Sequence, residues 1–198
     1  MRRPAAAALL SGAVLAGGLL AGCGSDDADA GSPLDVSLDG FVAAAERPTP
    51  ATLCDPDPAD PAATPPGLPA APGSPDAAFL QSASTTVEGY LWRTEDADAA
   101  EVVLAEATTA ARACTWTTVV GGAPGTPGSQ EQQAEAWSSG DWAGTRIVRT
   151  VAGSEQVDRR LVARGAVVLL VVLRADGDDP ALLTPADDYL TAVTERLG

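Results

Sequence analysis

Three consecutive β-strand patterns between residues 144 and 174 constrain the fold more than any other part of this 198-residue chain. Only short connections separate them, 152–154 and 164–165, and such connections join antiparallel strands into hairpins. The last pattern contains Val167–Leu173, an uninterrupted apolar run that predicts the central strand of the sheet. The three predicted strands are Gly144–Val151, Gln156–Ala163 and Ala166–Arg174.

The remaining patterns predict two further strands and two helices. Alternating apolar and polar residues predict a strand over Thr85–Arg93, and residues 115–120 are typical of another. Asp98, with a glutamate three residues later, has the spacing of a capping box and predicts a helix that runs to Cys114. Thr184, followed by a proline, predicts the start of a C-terminal helix. We therefore expect an α+β domain: an antiparallel sheet of about five strands, helices packed on one face and a single disulfide.

The first 22 residues have the three parts of a bacterial lipoprotein signal peptide. Arg2 and Arg3 precede an apolar segment that ends in Leu20-Ala21-Gly22-Cys23. We therefore predict cleavage before Cys23 and attachment of lipid, palmitate included, which places the mature protein on the extracytoplasmic face of the cell membrane. The alternative is a membrane-spanning helix, but a serine and several glycines interrupt this short apolar run.

Composition divides the mature chain into a tether and a domain. Residues 23–36 are small and acidic, so we expect a flexible tether there, and residues 37–198 are expected to form one sensor-like domain. Residues 48–76 contain ten of the 16 prolines, which excludes helix and sheet interiors and predicts a Pro-rich loop within that domain. The same composition is typical of a docking peptide for an aromatic groove, which is the alternative interpretation.

With Cys23 assigned to lipid, Cys54 and Cys114 are the two remaining cysteines. Outside the cytoplasm, two such thiols are expected to form a disulfide. This bond would close a loop of about 60 residues and contribute on the order of 4 kcal/mol through chain entropy. The alternative is a reactive thiol pair, but the chain has neither a C-x-x-C spacing nor a base adjacent to either cysteine.

The chain contains no histidine and carries a net charge of −15, which excludes several functions. Without histidine there is no Ser-His-Asp triad, no Cys-His pair and no His-ligated zinc or haem. The negative charge disfavours nucleic acid as a partner. The enzymatic hypothesis that remains is a carboxylate pair such as Glu88 with Glu135 or Asp141. Residues 176–179 lack the spacing of a calcium loop, so we expect no metal, no cofactor and no catalytic residue.

The strands between residues 146 and 174 carry six arginines and only two acidic residues. Guanidinium groups fixed on a sheet bind carboxylate or phosphate through paired hydrogen bonds. Arg149 and Arg159 are our candidates for contact with an anionic ligand, because we expect them to face each other across the turn at residues 152–153. The alternative is that these arginines pair with acidic residues of the protein itself or face solvent.

Two tryptophans are a second set of candidate ligand-binding residues. Trp137 and Trp142 flank a predicted turn at residues 138–141, so both indoles are expected near one end of a hairpin. Aromatic rings in such a position line ligand clefts. The alternative is that they fill the core of a domain rich in alanine and valine.

Five segments of the chain occur in a recognisable order. They are a strand ending in Tyr90-Leu91-Trp92-Arg93, a helix ending in "AARAC", a Gly140-Asp141 turn before Thr145–Val148, the hairpin "RLVARGAVVLLVVL" and the terminal helix "YLTAVTERL". This order resembles the PknH-like extracellular sensor domain family of actinobacterial lipoproteins. The resemblance covers residues 36–198. It implies a cleft that binds an unknown extracytoplasmic ligand, and it implies no enzymatic activity.

We therefore expect a lipid-anchored, non-catalytic lipoprotein that binds or senses an anionic or other small-molecule ligand outside the cytoplasm. The alternative function is an interaction module that docks another envelope protein through its sheet face or through the Pro-rich segment.

Overall fold

One antiparallel sheet contains all eight strands of this computed structural model, which describes residues 31–44, 52–60, 73–119 and 128–198. The spatial order of the strands is β1-β2-β3-β8-β7-β6-β5-β4. Signal peptide, Cys23 and much of the Pro-rich loop lie outside the described residues. The elements are β1 (Val42–Ala43), β2 (Asp76–Gln81), β3 (Thr85–Arg93), α1 (Ala97–Arg112), β4 (Trp116–Thr118), β5 (Gln130–Ser139), β6 (Trp142–Val151), β7 (Glu155–Arg164), β8 (Val167–Asp176), a 3-10 turn (Pro180–Leu183) and α2 (Thr184–Arg196).

The prediction of about five strands is wrong, because the sheet has eight. The sequence analysis misses β1, β2 and β5. β5 is long but lies near the edge of the sheet and exposes much of its length, so its sequence lacks an apolar alternation. β2 directly follows the Pro-rich segment, and β1 has only two residues. The predicted strand over Thr85–Arg93 is confirmed as β3, and the apolar run is confirmed as part of the central strand β8.

The prediction that the helices pack on one face of the sheet is also wrong. Successive side chains of a strand point to opposite faces, and β8 is buried on both. The even-numbered residues of Val168–Val172 pack in one core with α1, and the odd-numbered residues of Leu169–Leu173 pack in a second core with α2. A strand that is apolar at every position must be covered on both faces of the sheet. In this protein the cover includes α1 on one face and α2 on the other. We call these two sides the α1 face and the α2 face.

α1 begins at a side-chain cap and ends near the disulfide. Asp96 caps it by accepting a hydrogen bond from the backbone nitrogen of Ala99 at 2.8 Å, so the cap lies two residues before the predicted Asp98. The predicted disulfide between Cys54 and Cys114 is confirmed, with Cα atoms 6.0 Å apart. It attaches the segment around Cys54 to the end of α1. The buried face of α1 consists of Ala100, Val103, Ala107 and Ala111.

The N-terminal segment packs against α2. Leu34 and Val36, which the sequence analysis assigns to the tether, are buried in the core on the α2 face. The hydroxyl of Tyr189 donates a hydrogen bond to the carbonyl oxygen of Leu34 at 3.1 Å. Burial raises the pKa of Tyr189, and the negative charge of Asp35 adds to this effect. α2 is thus held between the sheet and the N-terminal segment.

Gly89 of β3 makes this packing possible. A Cβ atom added there would lie 2.3 Å from the hydroxyl oxygen of Tyr189, which is fully buried and hydrogen-bonded to Leu34. We expect Gly89→Ala to lower the free energy of unfolding by about 1–3 kcal/mol through overpacking. Gly31→Ala is the control, because its Cβ atom would meet Asp35 at an ordinary 3.5 Å. Urea denaturation measures both variants, and equal stabilities would contradict this description of the core.

Candidate functional site

Three arginines lie on the α1 face of neighbouring strands, and we call them the arginine cluster. Arg149 is on β6, Arg159 on β7 and Arg174 on β8. The register pairs Arg149 with Val157 and Arg159 with Ile147. Arg149 and Arg159 are therefore diagonal neighbours on one face. The sequence analysis expects them to lie directly opposite each other, and the register differs from that expectation.

A carboxylate of the protein itself lies between Arg149 and Arg159. Asp55 Oδ2 accepts a hydrogen bond from Arg159 Nη2 at 2.9 Å and lies 3.1 Å from Arg149 Nε. Arg149 also binds Glu155, with its Nη2 atom 2.5 Å from Oε2. The anion that the sequence analysis expects between the two arginines is thus supplied, at least in part, by Asp55. The contact of either arginine with an added ligand stays a prediction.

Asp55 is held in place from two directions. Its backbone nitrogen donates to Gln132 Oε1 at 3.1 Å, and its carbonyl oxygen accepts from Gln132 Nε2 at 3.2 Å. The same Nε2 atom donates to the carbonyl oxygen of Cys114 at 2.6 Å. Because Cys54 precedes Asp55, the disulfide also fixes this segment. The position of the carboxylate beside the cluster is therefore built into the fold.

Arg159 has hydrogen-bonding capacity that the described residues do not use. Its side chain has no solvent-exposed area, and its Nε and Nη1 atoms have no hydrogen-bond partner in the described ranges. Burial lowers the pKa of Arg159, nearby Asp55 opposes that effect, and the positive charges of Arg174 and Arg149 add to it. A buried guanidinium group with unused donors is unfavourable unless another acceptor reaches it.

Glu88 on β3 also belongs to this polar region. It is fully buried, and its Oε2 atom accepts a hydrogen bond from the hydroxyl of Tyr90 at 2.6 Å. Its other oxygen, Oε1, lies 3.6 Å from Arg174 Nε and has no hydrogen-bond partner among the described residues. The α1 face therefore holds both unused donors and an unused acceptor.

The two candidate tryptophans lie on the opposite side of the sheet. Trp137 and Trp142 belong to the core on the α2 face, where they line a cavity of about 60 Å³ together with Asp187. Arg160 lies 5.9 Å from the ring centre of Trp137, and Arg164 lies 5.2 Å from that of Trp142. Each indole therefore already has a cation over it.

A second charge network crosses the α2 face, and its buried groups are paired. Asp158 binds Arg160 and Arg146 through Oδ2, at 2.8 and 2.9 Å. Arg160 also binds Asp187, and Arg146 binds the exposed Glu135 at 3.2 Å. Burial lowers the pKa of Arg160, but its hydrogen bonds to Asp187 and Asp158 outweigh that effect and the net shift is upward. This network resembles a structural element rather than an open binding site.

The sheet thus separates residues that the sequence analysis considers together. Arg149 and Arg159 lie on the α1 face, whereas Trp137 and Trp142 lie on the α2 face, so the four do not form one site. The same separation applies to the hypothetical carboxylate pair. Glu88 is directed to the α1 face, and Glu135 contacts Arg146 on the other.

Sequence reasoning misses two residues of the region around the arginine cluster. Asp55 lies in the Pro-rich segment, 104 residues from Arg159, and no local pattern connects the two. Glu88 occupies a polar position in the alternation of β3, where an exposed side chain is the ordinary expectation. Its side chain is nevertheless buried on the α1 face, next to Tyr90, which belongs to the core there.

Comparison with known proteins gives little further information. No protein family and no curated protein matches the sequence. One solved structure with some likeness is the extracellular domain of PknH from Mycobacterium tuberculosis, at 11% sequence identity and a TM-score of 0.40. The aligned region covers 60% of this chain and 63% of that domain, which is less than two thirds of its length. A likeness at this level carries no conclusion about function.

The described part of the chain contains no helix that is long and apolar enough to cross a lipid bilayer.

Arg146 binds two carboxylates of the α2-face network, Asp158 and Glu135, and we expect their removal to lower the stability of the protein by unequal amounts. Asp158→Ala leaves the almost fully buried Arg160 without its shared partner, so we expect the free energy of unfolding to fall by about 3–5 kcal/mol. Glu135→Ala removes an exposed partner, so we expect a loss below about 1 kcal/mol. Guanidinium chloride denaturation measures both variants. Similar losses would show that Asp158 does not hold the network together.

Proposed function

We propose that this protein is a lipid-anchored, extracytoplasmic binding protein that holds a small ligand through an anionic group at the arginine cluster. It transforms no substrate. The observation that supports the ligand site is the pair of unused nitrogen atoms of buried Arg159. The signal-peptide pattern that ends at Cys23 supports the location.

The chemistry of the cluster favours an oxyanion. A guanidinium group offers five N–H donors, and hydrogen bonds to phosphate or carboxylate are the strongest that it makes. Arg159 directs one hydrogen bond to Asp55, so an oxyanion that accepts from Nε or Nη1 would satisfy donors that are otherwise buried without a partner. Arg174 is 28% exposed and connects this region with solvent. The ligand is proposed to approach the cluster past this side chain.

Binding of inorganic phosphate to the full chain tests the ligand site. We expect Arg159→Gln to weaken phosphate binding by at least about tenfold, because the substitution removes a charged donor. Arg93→Gln is the control, because Arg93 is exposed at the end of β3. Isothermal titration calorimetry gives the affinities, and circular dichroism checks that each variant is folded.

Arg174→Gln provides a second variant in case Arg159→Gln does not fold, and a loss of phosphate affinity is expected there as well. Folded protein of the unaltered sequence that binds neither inorganic phosphate nor a phosphate monoester would contradict the proposed ligand site. Equal affinities of Arg159→Gln and Arg93→Gln would contradict it too.

The proposed anchor has a separate test. We expect Cys23→Ser to abolish incorporation of labelled palmitate and to release the protein from the membrane fraction of a bacterial host, because the thiol carries the lipid. Cys114→Ser is the matched control, since Cys114 is bonded to Cys54. Palmitate labelling that persists in Cys23→Ser would show that the anchor is elsewhere or that no lipoprotein signal operates.

A docking module remains the second candidate, and the edge of the sheet favours it. β4 pairs with Gln130–Gln132 of β5. Within the described residues, Gln133–Ser139 therefore pairs on one side only, with β6, and its other side is open for an added strand. Docking there does not involve Arg159, so a partner retained by Arg159→Gln while phosphate binding is lost would separate the two functions.

A further inference from the structure

The polar region on the α1 face is balanced in charge, and this balance restricts the ligand. Among the described residues, the three guanidinium groups of the arginine cluster form ion pairs with three carboxylates. Asp55 and Glu155 contact Arg149, Asp55 also contacts Arg159, and Glu88 lies beside Arg174. A ligand with only negative charge would therefore leave an excess charge in a largely buried region, which is costly.

The unused hydrogen-bonding atoms also have both signs. Arg159 contributes Nε and Nη1 as donors, and Glu88 contributes Oε1 as an acceptor. Val172 of β8 lies between these two residues, because the register pairs it with Glu88 on one side and with Arg159 on the other. The two residues are thus two strand spacings apart, about 10 Å between Cα atoms, with both side chains on the α1 face. A short molecule with a group of each sign has the length to reach both residues across the buried Val172.

Arg174 connects the two groups. Its Nε atom lies 3.6 Å from Glu88 Oε1, too far for a good hydrogen bond, and its positive charge acts on Arg159. An oxyanion beside Arg159 would attract Arg174 and leave Glu88 with less compensation. An ammonium group beside Glu88 would restore that compensation and donate to the unused oxygen.

We infer that the ligand is a small zwitterion, with a primary ammonium group that donates to Glu88 Oε1 and a phosphate or carboxylate group that accepts from Arg159 and Arg174. This inference rests on the proposed function. The ammonium group offsets negative charge that the anion brings into the cluster, and the two groups together satisfy a donor and an acceptor that lack hydrogen-bond partners among the described residues. An ammonium group two carbons from a phosphate occurs in free phosphoethanolamine, where the phosphate is a monoester, and in the headgroup of phosphatidylethanolamine, where it is a diester.

Three soluble probes separate the parts of this inference. Phosphoethanolamine carries both groups, phosphocholine carries the same phosphate with an ammonium that has no N–H donor, and inorganic phosphate carries the anion alone. We expect the full chain to bind phosphoethanolamine at least about tenfold more tightly than either of the other two. Equal affinities for phosphoethanolamine and phosphate would overturn the zwitterion but leave the anion site intact. Binding of none of the probes would overturn both.

Glu88→Gln tests the ammonium contact directly. Glutamine retains an acceptor for the hydroxyl of Tyr90 but lacks the negative charge, so we expect it to remove the preference for phosphoethanolamine while phosphate still binds. Glu101→Gln is the control, because Glu101 is exposed on α1. A preference that persists in Glu88→Gln would show that the ligand ammonium does not depend on Glu88 and would overturn the inference. If Glu88→Gln does not fold, the preference of the unaltered chain decides.

Vesicles distinguish the two sources of the zwitterion. Phosphatidylcholine vesicles with and without phosphatidylethanolamine are mixed with the full chain carrying Cys23→Ser, so that no lipid anchor contributes. Binding that needs phosphatidylethanolamine and is lost in Glu88→Gln supports the headgroup as the ligand. Binding of soluble phosphoethanolamine without vesicle binding supports the free molecule. If neither form binds, the inference is wrong.

Discussion

Burial of β8 on both faces is the constraint on which the rest of the structure depends. Every residue of Val168–Leu173 is without solvent-exposed area, so each face of the sheet must carry a cover. α1 covers one face and is tied to the Leu53–Asp55 segment by the disulfide. α2 covers the other and is held by the hydrogen bond between Tyr189 and Leu34. The sheet thus separates two hydrophobic cores, one on each face.

Because the two faces of the sheet carry different cores, neighbouring residues of β7 have different surroundings. Arg159 and Arg160 are adjacent in sequence, both are buried, and they point to opposite faces. Arg160 finds two carboxylates, Asp158 and Asp187, on the α2 face. Arg159 finds Asp55 and retains two nitrogen atoms without a partner among the described residues. This difference is the basis on which we propose a structural role for the network of Arg160 and a ligand-binding role for Arg159.

The sequence predicts the features that depend on local pattern or on few alternatives. The apolar run of β8, the alternation of β3 and the pairing of Cys54 with Cys114 are all confirmed. β5 is missed because a strand near the sheet edge needs no apolar face. The sequence analysis also misses that both faces of the sheet are covered by a helix. In the alternation of β3, Glu88 and Tyr90 occupy positions that are expected to face solvent, but both side chains are buried on the α1 face.

The candidate site depends on contacts over long sequence distances, which no local pattern contains. Arg149 and Arg159 are recognisable from the local excess of arginine, but their partner Asp55 approaches only because the disulfide and Gln132 hold its segment on the α1 face. The two tryptophans lie at one end of the β5–β6 hairpin, as expected. Their side chains, however, are on the α2 face, opposite the arginine cluster. Once the register of the strands is known, the alternation of side chains between the two faces determines on which face each arginine and each tryptophan lies.

The ¹⁵N–¹H spectrum of the arginine side chains, recorded while phosphoethanolamine is added, tests the central claim most directly. The chain has 12 arginine and lysine residues together, so the Nε–H signals are few enough to resolve and assign. We predict that the Nε–H signal of Arg159 shifts on binding, because its donor gains an acceptor, while that of Arg160 stays unchanged. A shift of surface arginines alone, with Arg159 unaffected, would contradict the account.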